Sequence, residues 1–123
     1  MTALNTNGES AEQTKQRISV LTDVIKRRRS LSECQVLLSE FAWDSAPLVA
    51  VTADDSSAVL RSFIAAEMSA GSVEGWAETI EVRDDVYFDE PQSARAIFVL
   101  ANPALEGELS TALAQEILAL LRR

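Results

Sequence analysis

Carboxylates are the one reactive side chain this sequence supplies in quantity. It has 19 Asp and Glu against 11 Lys and Arg, no histidine, and a single cysteine, Cys34. The absence of histidine removes the commonest general base, the commonest zinc ligand and the usual pH switch. One cysteine excludes an internal disulfide, a CxxC pair and a cysteine-based zinc site. Paired carboxylates can divide acid and base work only in different environments within a pocket. Asp54-Asp55 and Asp84-Asp85 are adjacent pairs, and adjacent side chains do not face one another. Both fall where helix starts or solvated turns are expected. The run Asp84-Asp85-Val86-Tyr87-Phe88-Asp89-Glu90 offers oxygen ligands to a hard cation, but it lacks the alternating acids and central glycine of a calcium loop. Cys34 shares an apolar stripe with Leu31 and Leu38 and has no base to activate it, so it is expected in the core. With no G-x-S-x-G elbow and no glycine-rich phosphate loop, no catalytic residue, metal or cofactor is expected.

Binding is the better use of so much negative charge. Residues 1–29 carry six bases and three acids, whereas residues 30–121 carry sixteen acids and only Arg61, Arg83 and Arg95. The basic run Lys26-Arg27-Arg28-Arg29 suits a helix C-terminus, where cations complement the carbonyl end. Nucleic acid is not the expected partner, because a body of charge -13 repels a polyanion. Seven acids lie between positions 74 and 90, with only Arg83 opposing them. At 100° per residue, Glu74, Glu78 and Glu81 fall within about 60° of each other, away from Val73, Trp76 and Ile80. Asp84, Asp85, Asp89 and Glu90 extend the run, and Tyr87 and Phe88 can anchor a partner inside the acidic rim.

These residues need a scaffold, and helical spacing dominates the chain. Ile18, Leu21 and Val24/Ile25 predict a first helix from about Glu12 to Arg28. Ser30-Leu31-Ser32-Glu33 reads as a capping box opening a second helix to about Ala42. Leu48–Val51 is short and β-rich and is read as a buried extended connector near 47–52. Thr52 or Asp54 caps a third helix with Val59, Leu60, Phe63, Ile64 and Met68. Ser69 caps a fourth with Val73, Trp76, Ala77 and Ile80. Asp89-Glu90-Pro91-Gln92 is expected to box the start of a fifth, and Ser110 to cap the last. The expected fold is therefore an all-α bundle of about six short helices, over residues 11–123 as one domain after a disordered lead-in, 1–10. The core is expected from Leu38, Phe41, Phe63, Ile64, Trp76, Ile80, Ile97, Phe98, Ile117 and Leu121. The alternative is α+β, with Leu48–Val51 paired to Thr79–Val82. No uncharged apolar run reaches the roughly 18 residues a membrane span needs. The polar first ten residues lack a secretory pattern, so a cytoplasmic protein is expected.

Residues 60–86, with the step Glu67-Met68-Ser69 followed by the Trp76-bearing acidic helix, resemble a module of small acidic bacterial proteins that include colicin-type immunity proteins. That resemblance implies a cytoplasmic protein that neutralises a cationic nuclease toxin by covering its active site with acids. The leading expectation is a non-enzymatic protein that sequesters a basic toxin or effector. An acidic secretion-type chaperone, working as a dimer, and a small carboxylate-only enzyme or regulatory protein are the alternatives.

Overall fold

The computed structural model describes residues 10–42 and 45–122. Residues 1–9, most of the expected lead-in, lie outside the described residues. The chain divides into two compact units, one of residues 1–49 with 82–87 and one of residues 50–81 with 88–123.

The first unit is built on α1 (Ala11–Lys26) packed against α2 (Leu31–Leu38). Ser10 caps α1 in a reciprocal box: its hydroxyl accepts from the Gln13 amide at 3.1 Å, and its own N–H donates to Gln13 Oε1 at 2.9 Å. Val20, Leu21, Val24 and Ile25 are buried, but Ile18 is half out at 37% exposure. The inward position one residue earlier belongs to Arg17, so the buried stripe is rotated from the one expected. At the C-terminus Arg27 adopts φ 57°, and the Arg28 N–H reaches back to the Asp23 carbonyl at 2.9 Å. This is a Schellman-type stop made without glycine, at a backbone cost of about 1–2 kcal/mol. Arg29 then pairs with Asp23 at 3.0 Å. Half of the expected box at Ser30 is present. The hydroxyl accepts from the Glu33 amide, but Glu33 takes the hydroxyl proton and not the Ser30 N–H. α2 stops at Leu38, four residues early, and Phe41 is only half-buried, its ring 5.2 Å from the Arg17 guanidinium carbon.

Leu48–Val51 is not a mere connector. Val49–Val51 forms β1, which pairs in parallel with β2 (Val86–Phe88). The amides of Leu48 and Val49 donate to the Asp85 carbonyl, and that of Asp89 donates to the Val51 carbonyl. The alternative pairing with Thr79–Val82 fails because Thr79–Glu81 completes a helix. Val-Tyr-Phe has the β-branched and aromatic composition that suits a strand. Two parallel strands need a long crossover, supplied here by α3 (Ala53–Ile64) and α4 (Ala70–Glu81). The architecture is thus mostly helical with a minor sheet.

The second unit holds α3, α4, α5 (Pro91–Ala101), α6 (Pro103–Glu106) and α7 (Thr111–Leu121). Thr52 and Asp55 form the box that opens α3, with Thr52 N donating to Asp55 Oδ2 at 2.9 Å. α3 ends at Ile64, before Met68, where Ala66 turns left-handed at φ 63° and the Glu67 amide closes onto the Ser62 carbonyl. Ser69 caps α4 through the Ser72 amide. α5 opens differently from expectation: Glu90 is its N-cap without a side-chain bond, Pro91 fills the first turn, and Asp89 accepts from the Ser93 hydroxyl at 2.6 Å. Pro91 suits this first helical position, where its missing N–H would have had no partner inside the helix.

α5 packs against α3, α4 and α7, which explains why it buries Ser93, Ala96, Ile97, Val99, Leu100 and Ala101 over more than one face. Trp76, Ile80, Ile117 and Leu121 are buried as expected. Phe63 is half-buried, and Ile64 and Phe98 are exposed by 37% and 39%, so none of the three anchors the core. Arg95 lies over the Phe98 ring at 5.6 Å, covering an outward face.

Candidate functional site

The acids expected to form one partner-binding set are divided between the units. Glu74, Glu78, Glu81, Phe88, Asp89 and Glu90 belong to the second, and Asp84, Asp85 and Tyr87 to the first. α4 turns Val73, Trp76, Ala77 and Ile80 inward, which leaves Glu78 and Glu81 exposed and Glu74 half-buried. Glu81 accepts a hydrogen bond from Asn102 Nδ2 at 2.9 Å. Asp89 and Glu90 are exposed at the start of α5, and Phe88 is half-buried. In the first unit Asp84 is exposed and Tyr87 is 48% exposed.

Asp85 corrects the expectation of a surface acid, since it is 0% exposed. Arg83 grips it in a fork, with Nε 2.9 Å from Oδ1 and Nη2 2.8 Å from Oδ2. Arg17 Nε lies 3.6 Å from Oδ2. Both guanidiniums also donate to the Ala42 carbonyl, at 2.7 Å from Arg17 and 3.2 Å from Arg83. A fully buried carboxylate needs such partners, because an uncompensated charge away from water is expensive. Asp85 is therefore engaged in ion pairs inside the first unit and presents no surface of its own. Sequence reasoning missed Arg17, although its place at i with Val20, Leu21 and Val24 on one helical face was a usable signal.

Division by unit also relocates the charge. The first unit carries eight acids and seven bases, a net -1, with the basic run included. The second carries eleven acids and only Arg61, Arg95, Arg122 and Arg123, a net -7. Arg95 is already engaged with Glu106 at 3.1 Å.

A cleft of about 460 Å³ opens in the second unit, walled by Ala70, Gly71 and Glu74 of α4 and by Pro103, Ala104, Glu108 and Leu109. It brings Glu74 together with Glu108, a residue that sequence reasoning did not select. Thirty-four positions separate the two, and no local pattern links them. The second wall is fixed at several points. Asn102 bonds both Glu81 and the Phe98 carbonyl, the Leu105 and Glu106 amides donate to the Asn102 carbonyl, and the Gly107 amide donates to Pro103. Gly107 itself sits at φ 99°, ψ 149°, a conformation essentially confined to glycine.

Cys34 is buried as expected. Burial pushes its thiol pKa up, Asp23 and Glu33 add to the rise, and Arg29 opposes it. Among the described residues no cluster of three His, Cys, Asp or Glu side chains is placed to hold a metal ion, and no helix is long and apolar enough to cross a membrane. No family model, curated protein or solved structure matches this chain.

Proposed function

We propose that this chain is a non-enzymatic binding module whose acidic second unit captures a basic protein partner, in the manner of an immunity or antitoxin protein. The observation that carries the reading is the concentration of charge: net -7 in the second unit against -1 in the first. α4 adds geometry, since its buried stripe leaves Glu74, Glu78 and Glu81 on the other side of the helix. Clustered charge of one sign raises encounter rates with an opposite partner and repels wrong ones. The test uses the full chain with short lysine- and arginine-rich peptides and a glutamate-rich peptide of equal length. Cationic peptides bind, and binding weakens between about 50 and about 300 mM salt as screening shortens. Replacing Glu78 and Glu90 by lysine slows association while circular dichroism stays unchanged. Equal binding of the glutamate peptide, or unaltered association of the double variant, overturns the reading.

A further inference from the structure

We infer that the cleft between the first turn of α4 and the Pro103–Leu109 segment is a seat for one lysine or arginine side chain of the basic partner. The inference rests on the binding reading above and assigns it a pocket. Its volume, about 460 Å³, lies within the roughly 300–1,000 Å³ of preformed ligand sites. Ala70, Gly71, Pro103, Ala104 and Leu109 offer an apolar lining to the methylene stem, while Glu74 and Glu108 offer carboxylates to the charged head. Lysine and arginine bury stem and head in this divided way, and the ionised head gains charge-assisted hydrogen bonds. No base lines the cleft, and the nearby Glu106 is already committed to Arg95. The N-terminus of α4 works against a cation, but its partial charge of about +0.5 is outweighed by two full carboxylates. An anion would meet those same carboxylates.

Gly71 supports an occupant in the cleft. A Cβ built there would approach nothing nearer than Ser69 Oγ at 3.9 Å, and Gly71 does not adopt a left-handed backbone. Neither packing nor conformation in the chain itself calls for glycine at a helical position where alanine is preferred. The open space over Gly71 is what a side-chain stem would fill. Leu105, next to Ala104 in sequence and 77% exposed, supplies apolar surface for the partner's flanking residues to cover.

The experiment measures binding of a lysine-rich peptide to the full chain by fluorescence anisotropy, with circular dichroism confirming the fold of each variant. Glu74→Gln with Glu108→Gln should weaken binding about tenfold. Glu67→Gln with Glu116→Gln, exposed acids of the same unit outside the cleft, changes net charge equally and should weaken it about twofold. Gly71→Leu, which narrows the cleft without altering charge, should also lose about tenfold, and Ala104→Leu narrows it from the opposite wall. If both narrowed variants bind like the parent, the seat is wrong while the acidic-module reading stands. If the two double variants lose affinity equally, net charge and not the cleft governs binding, and the inference falls. If the parent binds no cationic peptide, both readings fall together.

Discussion

Neutralising Asp85 tests the packing of the first unit most directly. Asp85→Asn keeps the side-chain shape but removes the charge and turns one accepting oxygen into an N–H donor that faces the Arg83 fork. Arg83 then holds a neutral amide, and Arg17 loses the carboxylate 3.6 Å from its Nε. The two arginines respond differently. The Arg83 side chain is 9% exposed and can turn toward water, whereas that of Arg17 is 0% exposed and cannot do so without opening α1. Removing one partner from a buried ion pair costs about 3–5 kcal/mol. The partial escape of Arg83 places the expected loss near the lower end, about 3 kcal/mol. A domain holds only about 5–15 kcal/mol in total, so the loss is a large fraction of its stability. It should lower the melting temperature by about 12 °C at roughly 4 °C per kcal/mol. Thermal and urea unfolding by circular dichroism measure the total, and amide exchange across α1 reports on the first unit separately. Asp84→Asn, one residue away but exposed, should melt with the parent. Combining Asp85→Asn with Arg17→Met should recover part of the loss, because the stranded charge is then gone. If Asp85→Asn melts within about 3 °C of the parent, the ion cluster does not stabilise the unit.

Three further outcomes follow from burial and backbone geometry. Ile97→Ala should cost about 2–5 kcal/mol in urea unfolding and Phe98→Ala clearly less, since Ile97 is 1% exposed and Phe98 39%; a reversed order would mean the register of α5 is wrong. Gly107→Ala meets no neighbour within 4 Å but forces alanine to φ 99°, so it should destabilise by about 1–3 kcal/mol through backbone strain alone. A clash of the added Cβ cannot explain such a loss, and an unchanged melt would show that the turn relaxes freely. Cys34 has a folded-state thiol pKa raised by burial, with Asp23 and Glu33 adding. The folded chain therefore holds this proton more tightly than the unfolded chain. The stability it contributes is complete below the unfolded thiol pKa of about 8.5 and is lost as pH rises through the folded value. The parent should lose stability more steeply than Cys34→Ala across that alkaline window, and iodoacetamide should label native Cys34 slowly; parallel pH profiles would remove this contribution.

Local chemistry settled most of the helical framework in advance. Ser30, Thr52, Ser69 and Ser110 accept from the backbone amides three residues on, because a hydroxyl at that spacing meets an amide with no partner inside the helix. The stripes of α4 and α7 were legible for the same reason, since a 3.6-residue period depends on neighbours only a few positions apart. Periodicity also placed Glu78 and Glu81 outward. It could not separate the stripe of Ile18 from that of Arg17, because only a buried counter-charge makes an inward arginine acceptable. That counter-charge, Asp85, comes from the other end of the unit's sequence, and tertiary structure alone turned it from a surface acid into an internal one. The β1–β2 pairing is non-local in the same sense. Three-residue strands carry too little pattern to announce themselves, and each needs its partner to satisfy its backbone groups. Phe98 is as hydrophobic as Ile97, but which of the two faces the core is set by how α5 lies among α3, α4 and α7. The cleft depends on the longest separation of all. Composition determined that this chain is acidic, and apolar spacing that it is rich in helix. Bringing Glu74 and Glu108 to one opening required the Gly107 turn and the Asn102 bonds, interactions between residues that only the folded chain makes neighbours.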